Sequence, residues 1–498
     1  MEKNARIQRV LLLGSALLLA ILYQNREQGL NYLIVSVAVG VLSLYQNLGT
    51  QKSKLVYLIL VGMVVSGLGV YLSGQTYSIL VWWLNLILLG SVTAYPNFKN
   101  ASLVVKTIST QTPRLFGGLA MTLGNKDQSK AGRLKSWFRY FGVPAITLIL
   151  LISIYANANT YFAKSLETSW LTIKNLFGDI SFQIFFWFGA GLVFMSYFFI
   201  QENSKTLEEE DEKLQLELIR EKKRSPFRFL NKRLLRKMQV SIAFFSVINL
   251  MLFWQHVTEI QNVWFGFEFT GQLLKGFVHD GTWLLIYALI ISIGITWYYL
   301  DSNLVFMKKS TLFNALIVVW LLQNLLLVIT VAVRTSFYIE YYALAYKRIL
   351  VLFFLGFTAI ALLSLIYKVL ARKSLSYISN NLVGAAVLIL PVSGCLNWDV
   401  EIAKYNFAHA EKAYLDYEFL KDMNNEAFAY MENRQEELNR IDSIQALRFP
   451  VKIDSKESEF AETVSEKQAL LKAKGEQLDI WEQNLSTLQA LRNLENEN

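Results

Sequence analysis

Blocks of close to twenty consecutive, mostly apolar residues, uncharged but for Lys368 near the end of one, recur along the first 398 positions of this chain. A helix needs about 20 such residues to cross a bilayer's hydrocarbon layer. Read in order, the blocks are Val10–Tyr23, Leu30–Leu48, Leu55–Leu72, Tyr77–Tyr95, Val143–Ala158, Ile180–Ile200, Gln239–Val257, Thr282–Leu300, Thr311–Val333, Ile349–Val369 and Asn380–Trp398. The first is short and reads either as a span or as an uncleaved signal anchor. The expected fold is therefore all-α: a polytopic bundle of about 11 transmembrane helices over 1–398, with a helical extramembrane domain over 399–498. Composition agrees, since only 17% of residues are charged where a soluble chain carries about 25%. The single cysteine, Cys395, excludes an intrachain disulfide and a Cys-based zinc site.

The formal charge of +9 hides a split. Residues 399–498 carry a net −9 and residues 1–398 a net +18. Cytoplasmic connections carry the excess of Lys and Arg. With the N-terminus inside, segments 1–9, 49–54, 96–141, 201–238, 301–309 and 368–379 hold all of the +18, and the outer connections sum to zero. That threading places the acidic tail outside the cytoplasm of a cell (inner) membrane. Bases spread over span edges point to anionic lipid at the inner loops, not to nucleic acid. Within 201–238, a charged loop, Phe227, Leu230, Leu234 and Met238 recur at helical spacing among bases, predicting a surface-lying amphipathic helix. In the third span, Gly62, Ser66, Gly67 and Gly69 form a small-residue face that lets helices approach closely.

One outer connection breaks the charge pattern. Arg334–Arg348, RTSFYIEYYALAYKR, is net positive and holds four tyrosines. Interfacial belting explains the tyrosines. It does not explain Arg334, Glu340 and Arg348. Glu340 is expected to pair with Arg334 or Arg348 at the outer mouth of the bundle. With His279, Asp280, Tyr338 and Tyr342, these residues form a candidate outer polar cluster for a polar headgroup or anionic substrate. His256 and Glu259 share a helix face, and His279 lies in the same outer connection, so the three are weak candidates for a divalent ion. No cofactor is implied, and no P-loop, GxSxG or dinucleotide fingerprint occurs. No apolar block carries an ionisable residue at its middle, which argues against a proton relay.

In the tail, 399–446 reads as two helices with apolar faces at Ala403, Phe407 and Ala410 and at Leu415, Phe419 and Met423. Beyond Pro450, Val464, Leu471, Leu478 and Leu485 recur at seven, a partial heptad seam on one longer helix. It is expected either to pack on its own domain or to join a partner or second copy through 455–495.

Four segments carry a resemblance: Tyr338–Arg348, Phe277-Val-His279-Asp-Gly281, Ala403-Lys-Tyr-Asn406 and Leu415-Asp-Tyr-Glu-Phe-Leu420. Together, over roughly 140–430, they resemble a family of uncharacterised bacterial polytopic membrane proteins known as a domain of unknown function. The family pattern runs Tyr-x-Glu-x-Tyr-Gly-Leu-Thr-x-x-Arg. This chain departs from it at Ala343, Ala345 and Trp398. The resemblance implies a topology and no activity. The leading expectation is a membrane scaffold, sensor or assembly partner that is not an enzyme. A transporter or flippase-like protein using Asn85, Asn249, Gln323 and Asn324, and a membrane enzyme acting on lipid-linked groups, are the alternatives.

Overall fold

The computed structural model describes residues 2–23, 27–46, 53–93, 95, 97–111, 164–165, 168, 182–199, 205–214, 216–217, 228–265, 281–300, 310–449 and 457–496. The expected span Val143–Ala158 and the pair His279 and Asp280 lie outside these residues. Among the described residues every regular element is helical, apart from an isolated bridge between Glu217 and Lys373.

The apolar blocks become α1 (Glu2–Tyr23), α2 (Leu30–Gln46), α3 (Lys54–Ser73), α4 (Thr76–Thr93), α6 (Phe182–Phe199), α8 (Arg228–Glu259), α9 (Gly281–Leu300), α10 (Ser310–Tyr342), α11 (Tyr346–Ala371) and α12 (Leu375–Ser393). Between them lie α5 (Val104–Gln111) and α7 (Lys205–Lys213). Among the described residues, 7 helices are long and apolar enough to cross a membrane, and α1, α2 and α6 contain shorter apolar stretches.

Two bundles form. In the first, α1 to α4 and α6 close around Leu12, Ile59, Met63, Trp82 and Phe198. In the second, α8 to α11 close around Phe245, Phe313, Leu321 and Leu362. Helix α12 packs on both α3 and α11 and so bridges them. Lipid tails are as apolar as these side chains, so close packing and polar bonds hold such helices together. The small-residue face of α3 serves that packing. A Cβ on Gly62 would lie 3.0 Å from the Val387 carbonyl oxygen of α12, and one on Gly69 3.0 Å from the Gly394 carbonyl carbon just beyond it. Gly67 faces α2, where a Cβ would meet the Ser36 hydroxyl at 2.1 Å.

Two expectations change. The amphipathic helix ending at Met238 and the span beginning at Gln239 are one helix of 32 residues. No glycine or proline interrupts Arg228–Glu259, so backbone hydrogen bonding continues across the change of polarity. The tail is also more broken than its periodicity suggests. It comprises α13 (Trp398–Ala408), α14 (Tyr417–Lys421), α15 (Asn425–Phe428), α16 (Gln435–Arg448), α17 (Glu457–Gly475) and α18 (Leu485–Asn496). Asn397, Asp416 and Asn424 each cap the helix that follows by accepting from a backbone N–H, so the chain restarts where two helices were expected to run on. The heptad seam stops after Leu471, because the chain leaves helix at Gly475 and turns through Ile480–Glu482. Val464 and Leu471 are fully buried by this chain's own residues.

The connections segregate. The tail sits against the ends that carry residues 27–29, 73–75 and 341–346. Lys474 pairs with Glu27 at 2.7 Å, and Asn397 donates to the Ser73 carbonyl at 3.2 Å. The Trp398 N–H donates to the Gln75 side chain at 3.0 Å. Other polar ties gather Asn100, Ser102, Lys106, Glu210, Asp211, Glu217, Lys373 and Asn380.

Candidate functional site

The stretch Arg334–Arg348 is a corner between two long helices. Helix α10 ends at Tyr342, and Ala343 turns the chain with φ +62°. That conformation favours glycine because a Cβ crowds the following carbonyl, which accounts for the glycine in the pattern this segment resembles. Arg348 reaches back and donates from Nη1 to the carbonyls of Tyr342 (2.8 Å) and Ala343. Its guanidinium lies 4.7 Å from the centre of the Tyr338 ring. Tyr338 and Tyr342 share a face, with ring centres 4.7 Å apart. Arg348 therefore closes the C-terminus of α10, where orphan carbonyls attract cations.

The tail completes the corner. Asn406, 2% exposed, accepts from the Leu344 N–H at 2.7 Å and donates to the Leu344 carbonyl at 3.1 Å. The Tyr414 N–H donates to the Tyr341 carbonyl at 2.8 Å. The Tyr346 hydroxyl bonds to Asp399, whose other oxygen accepts from the Asn424 N–H at 2.8 Å. Glu340 is exposed and pairs with neither arginine. It lies near Tyr405, whose hydroxyl is pushed up by burial and then by the Glu340 charge.

Arg334 pairs elsewhere. Its Nε donates to Glu259 Oε1, and Nη2 donates to Oε2 at 2.8 Å, a two-point bond between side chains 75 residues apart. Arg334 is 5% exposed and Glu259 4%, so neither charge is left to water. The Gln255 amide also donates to Glu259 at 3.3 Å. Deeper along the same α8–α10 contact, Asn249 donates to the Leu316 carbonyl at 3.0 Å, and Gln323 donates to Asn249 at 2.9 Å. Between these levels, His256 Nε2 stands 2.9 Å from the Gln323 carbonyl oxygen. A carbonyl only accepts, so Nε2 carries a proton, and the buried Nδ1 has no hydrogen-bond partner among the described residues. Later residues of α8 meet later residues of α10, so the two helices run parallel and share one polar seam.

The seam leaves the middles of these apolar blocks without a carboxylate, lysine or arginine, but it adds a buried ion pair just past their ends. The apolar blocks stop at Val257 and Val333, but both helices continue. At 1.5 Å per residue, the 33-residue α10 is about 50 Å long, well beyond a hydrocarbon layer of about 30 Å. Arg334 and Glu259 thus lie inside helices, beyond their apolar middles. One sequence signal pointed to the pair: opposite charges just past matching ends of two spans threaded in the same direction. Asn406 belonged to a quoted motif without an assigned role.

Of the metal candidates, Glu259 has both oxygens bonded to Arg334, and His256 has Nε2 on a carbonyl. Among the described residues, no group of three or more His, Cys, Asp or Glu is placed to hold a metal ion. The structure brings Tyr338, Tyr342 and Arg348 together at the corner, sets Arg334 with Glu259 below it, and leaves Glu340 at the surface.

Fold and composition together define an all-helical polytopic integral membrane protein. The chain belongs to the family described as a domain of unknown function, DUF4153, whose family model matches residues 10–433. No curated protein and no solved structure matches the chain.

Proposed function

We propose that this protein is a membrane scaffold and sensor, in which a helical domain outside the cytoplasm is coupled to the membrane bundle through the Tyr342–Tyr346 corner. The observation that carries this reading is Asn406, which holds both backbone groups of Leu344 from the tail. Helix α10 is continuous from the corner down to Arg334. A shift of the corner therefore shifts Arg334 against Glu259, a coupling through packed elements. The basic connections support an outer position for the tail. Partner contacts then run through residues the tail leaves exposed, such as Leu447 and Leu470.

The carrier reading draws less support from the polar span residues. Asn249 and Gln323 bond each other, and Asn85 and Asn324 donate to carbonyls of their own helices. Hydrogen exchange of the full chain in nanodiscs tests the proposal. Asn406→Leu is expected to speed exchange both at residues 341–346 and along 249–264. Exchange that rises at the corner and stays unchanged along 249–264 would overturn the coupling.

A further inference from the structure

An open cleft of about 530 Å³ lies where the two bundles meet, between α3, α11 and α12. Its lining has two chemistries. Leu58, Leu363 and Leu388 give it an apolar wall, while Tyr367, Tyr377 and Asn381 give it a polar one. Asn381 donates to the Ser364 hydroxyl at 3.0 Å, and the two tyrosine rings lie 5.5 Å apart. These residues belong to helices long and apolar enough to span a membrane, with Leu58, Leu363 and Leu388 inside their apolar stretches and Tyr367 and Tyr377 nearer the turn that joins α11 to α12. Pockets of about 300–1,000 Å³ suit small amphipathic ligands.

The polar wall adjoins the turn between α11 and α12, which carries Arg372 and Lys373. Arg372 is exposed, and Lys373 pairs with the exposed Glu217 at 3.2 Å. That turn is one of the basic connections. Positive charge at this level attracts anionic headgroups.

We propose that this cleft is a specific site for one anionic glycerophospholipid, drawn from the leaflet on the side of the basic connections. An acyl chain lies along Leu58, Leu363 and Leu388. The ester and glycerol region meets the tyrosine hydroxyls and Asn381, and the phosphate faces Arg372. The site is independent of the corner and the seam, so it stands or falls apart from the sensor reading.

Gly384 gives the test. It lines the cleft, and a Cβ there meets only Leu58 Cδ2, at 3.8 Å, so a larger side chain grows into the open space. The full chain in mild detergent is titrated with phosphatidylglycerol or phosphatidylcholine and followed by native mass spectrometry. One phosphatidylglycerol is expected to bind with at least tenfold preference over phosphatidylcholine. Gly384→Leu should weaken that binding at least fivefold, and Leu363→Trp, filling the cleft from the other side, provides the same readout should Gly384→Leu fold poorly. Arg372→Gln should reduce the headgroup preference and leave chain binding in place. Ile329→Phe, on the lipid-facing side of α10, should change nothing. Equal binding of both lipids, unaffected by the filling variants, would mean bulk lipid only and would overturn the site. Binding of inorganic phosphate alone at matched concentration would overturn the lipid as its ligand.

Discussion

Removing one charge from the Glu259–Arg334 pair has an asymmetric consequence that the structure sets in advance. Both side chains are about nineteen-twentieths buried and joined by two N–H···O bonds. Breaking a buried pair from one side typically costs about 3–5 kcal/mol, because the remaining charge has no partner. The two halves differ in how they relieve that cost. Arginine stays protonated in any protein environment, whereas a stranded carboxyl takes up a proton and becomes neutral. Arg334 lies roughly 12 Å from the corner at 1.5 Å per residue of α10, and it is 5% exposed. Glu259→Gln should therefore cost about 3–4 kcal/mol, and Arg334→Met about 1–2 kcal/mol less than that. At roughly 2–4 °C per kcal/mol, Glu259→Gln lowers Tm by about 6–16 °C. The double variant Glu259→Leu/Arg334→Met should recover most of the loss, since a buried pair exchanged for apolar groups is often neutral or better. Thermal unfolding of the purified chain in one detergent, followed by intrinsic fluorescence, measures all four proteins. If Glu259→Gln unfolds within about 1 °C of the wild type, or the double variant is no better than Glu259→Gln, the buried pair is not holding α8 to α10.

Other substitutions test other parts of the argument. Ala343→Val puts a β-branched side chain at φ +62° and should destabilise by more than about 2 kcal/mol, while Ala343→Gly stays within about 1 kcal/mol of the wild type in the same melt. Gly69→Leu should force α3 from the end of α12, where a Cβ already meets Gly394 at 3.0 Å, and cost about 1–3 kcal/mol, read as loss of folded protein on size exclusion. In the tail, Arg434 bonds to Glu432 and holds its carboxyl below the usual range. A depressed carboxylate contributes stability above the unfolded value near 4.3, and that contribution is lost as pH falls through the lower folded value. Glu432→Gln should therefore flatten the fall in Tm of the tail's unfolding transition between about pH 5 and 3.

Much of the architecture was legible in the order of residues. Apolar blocks and their length identify the helices able to cross a membrane, seven of them among the described residues, because transfer into lipid is a local sum over about twenty side chains. The close packing of α3 was legible too, although its small residues serve two neighbours: Gly62 and Gly69 meet α12 and the residues just past it, and Gly67 meets α2. The corner was visible as a place and not as a mechanism. Its tyrosines and arginines stood out, but the partners of its backbone groups come from Asn406 and Tyr414, far along the chain.

Partner choice belonged to the tertiary structure. Glu340 is nearer Arg334 in sequence than Glu259 is, yet it points to the surface while Glu259 crosses between helices. Helix ends were decided there as well. Hydropathy registers where apolar character stops, whereas backbone hydrogen bonding carried α8 and α10 past that point and drew charged residues into the bundle. The heptad seam failed for the converse reason: its spacing persisted through Leu485 while the helix itself stopped at Gly475. Sequence by itself determined which segments are long and apolar enough to enter a membrane, because that is a property of each segment alone. Which buried charges meet, and what the corner is fastened to, depend on packing between segments that no local pattern encodes.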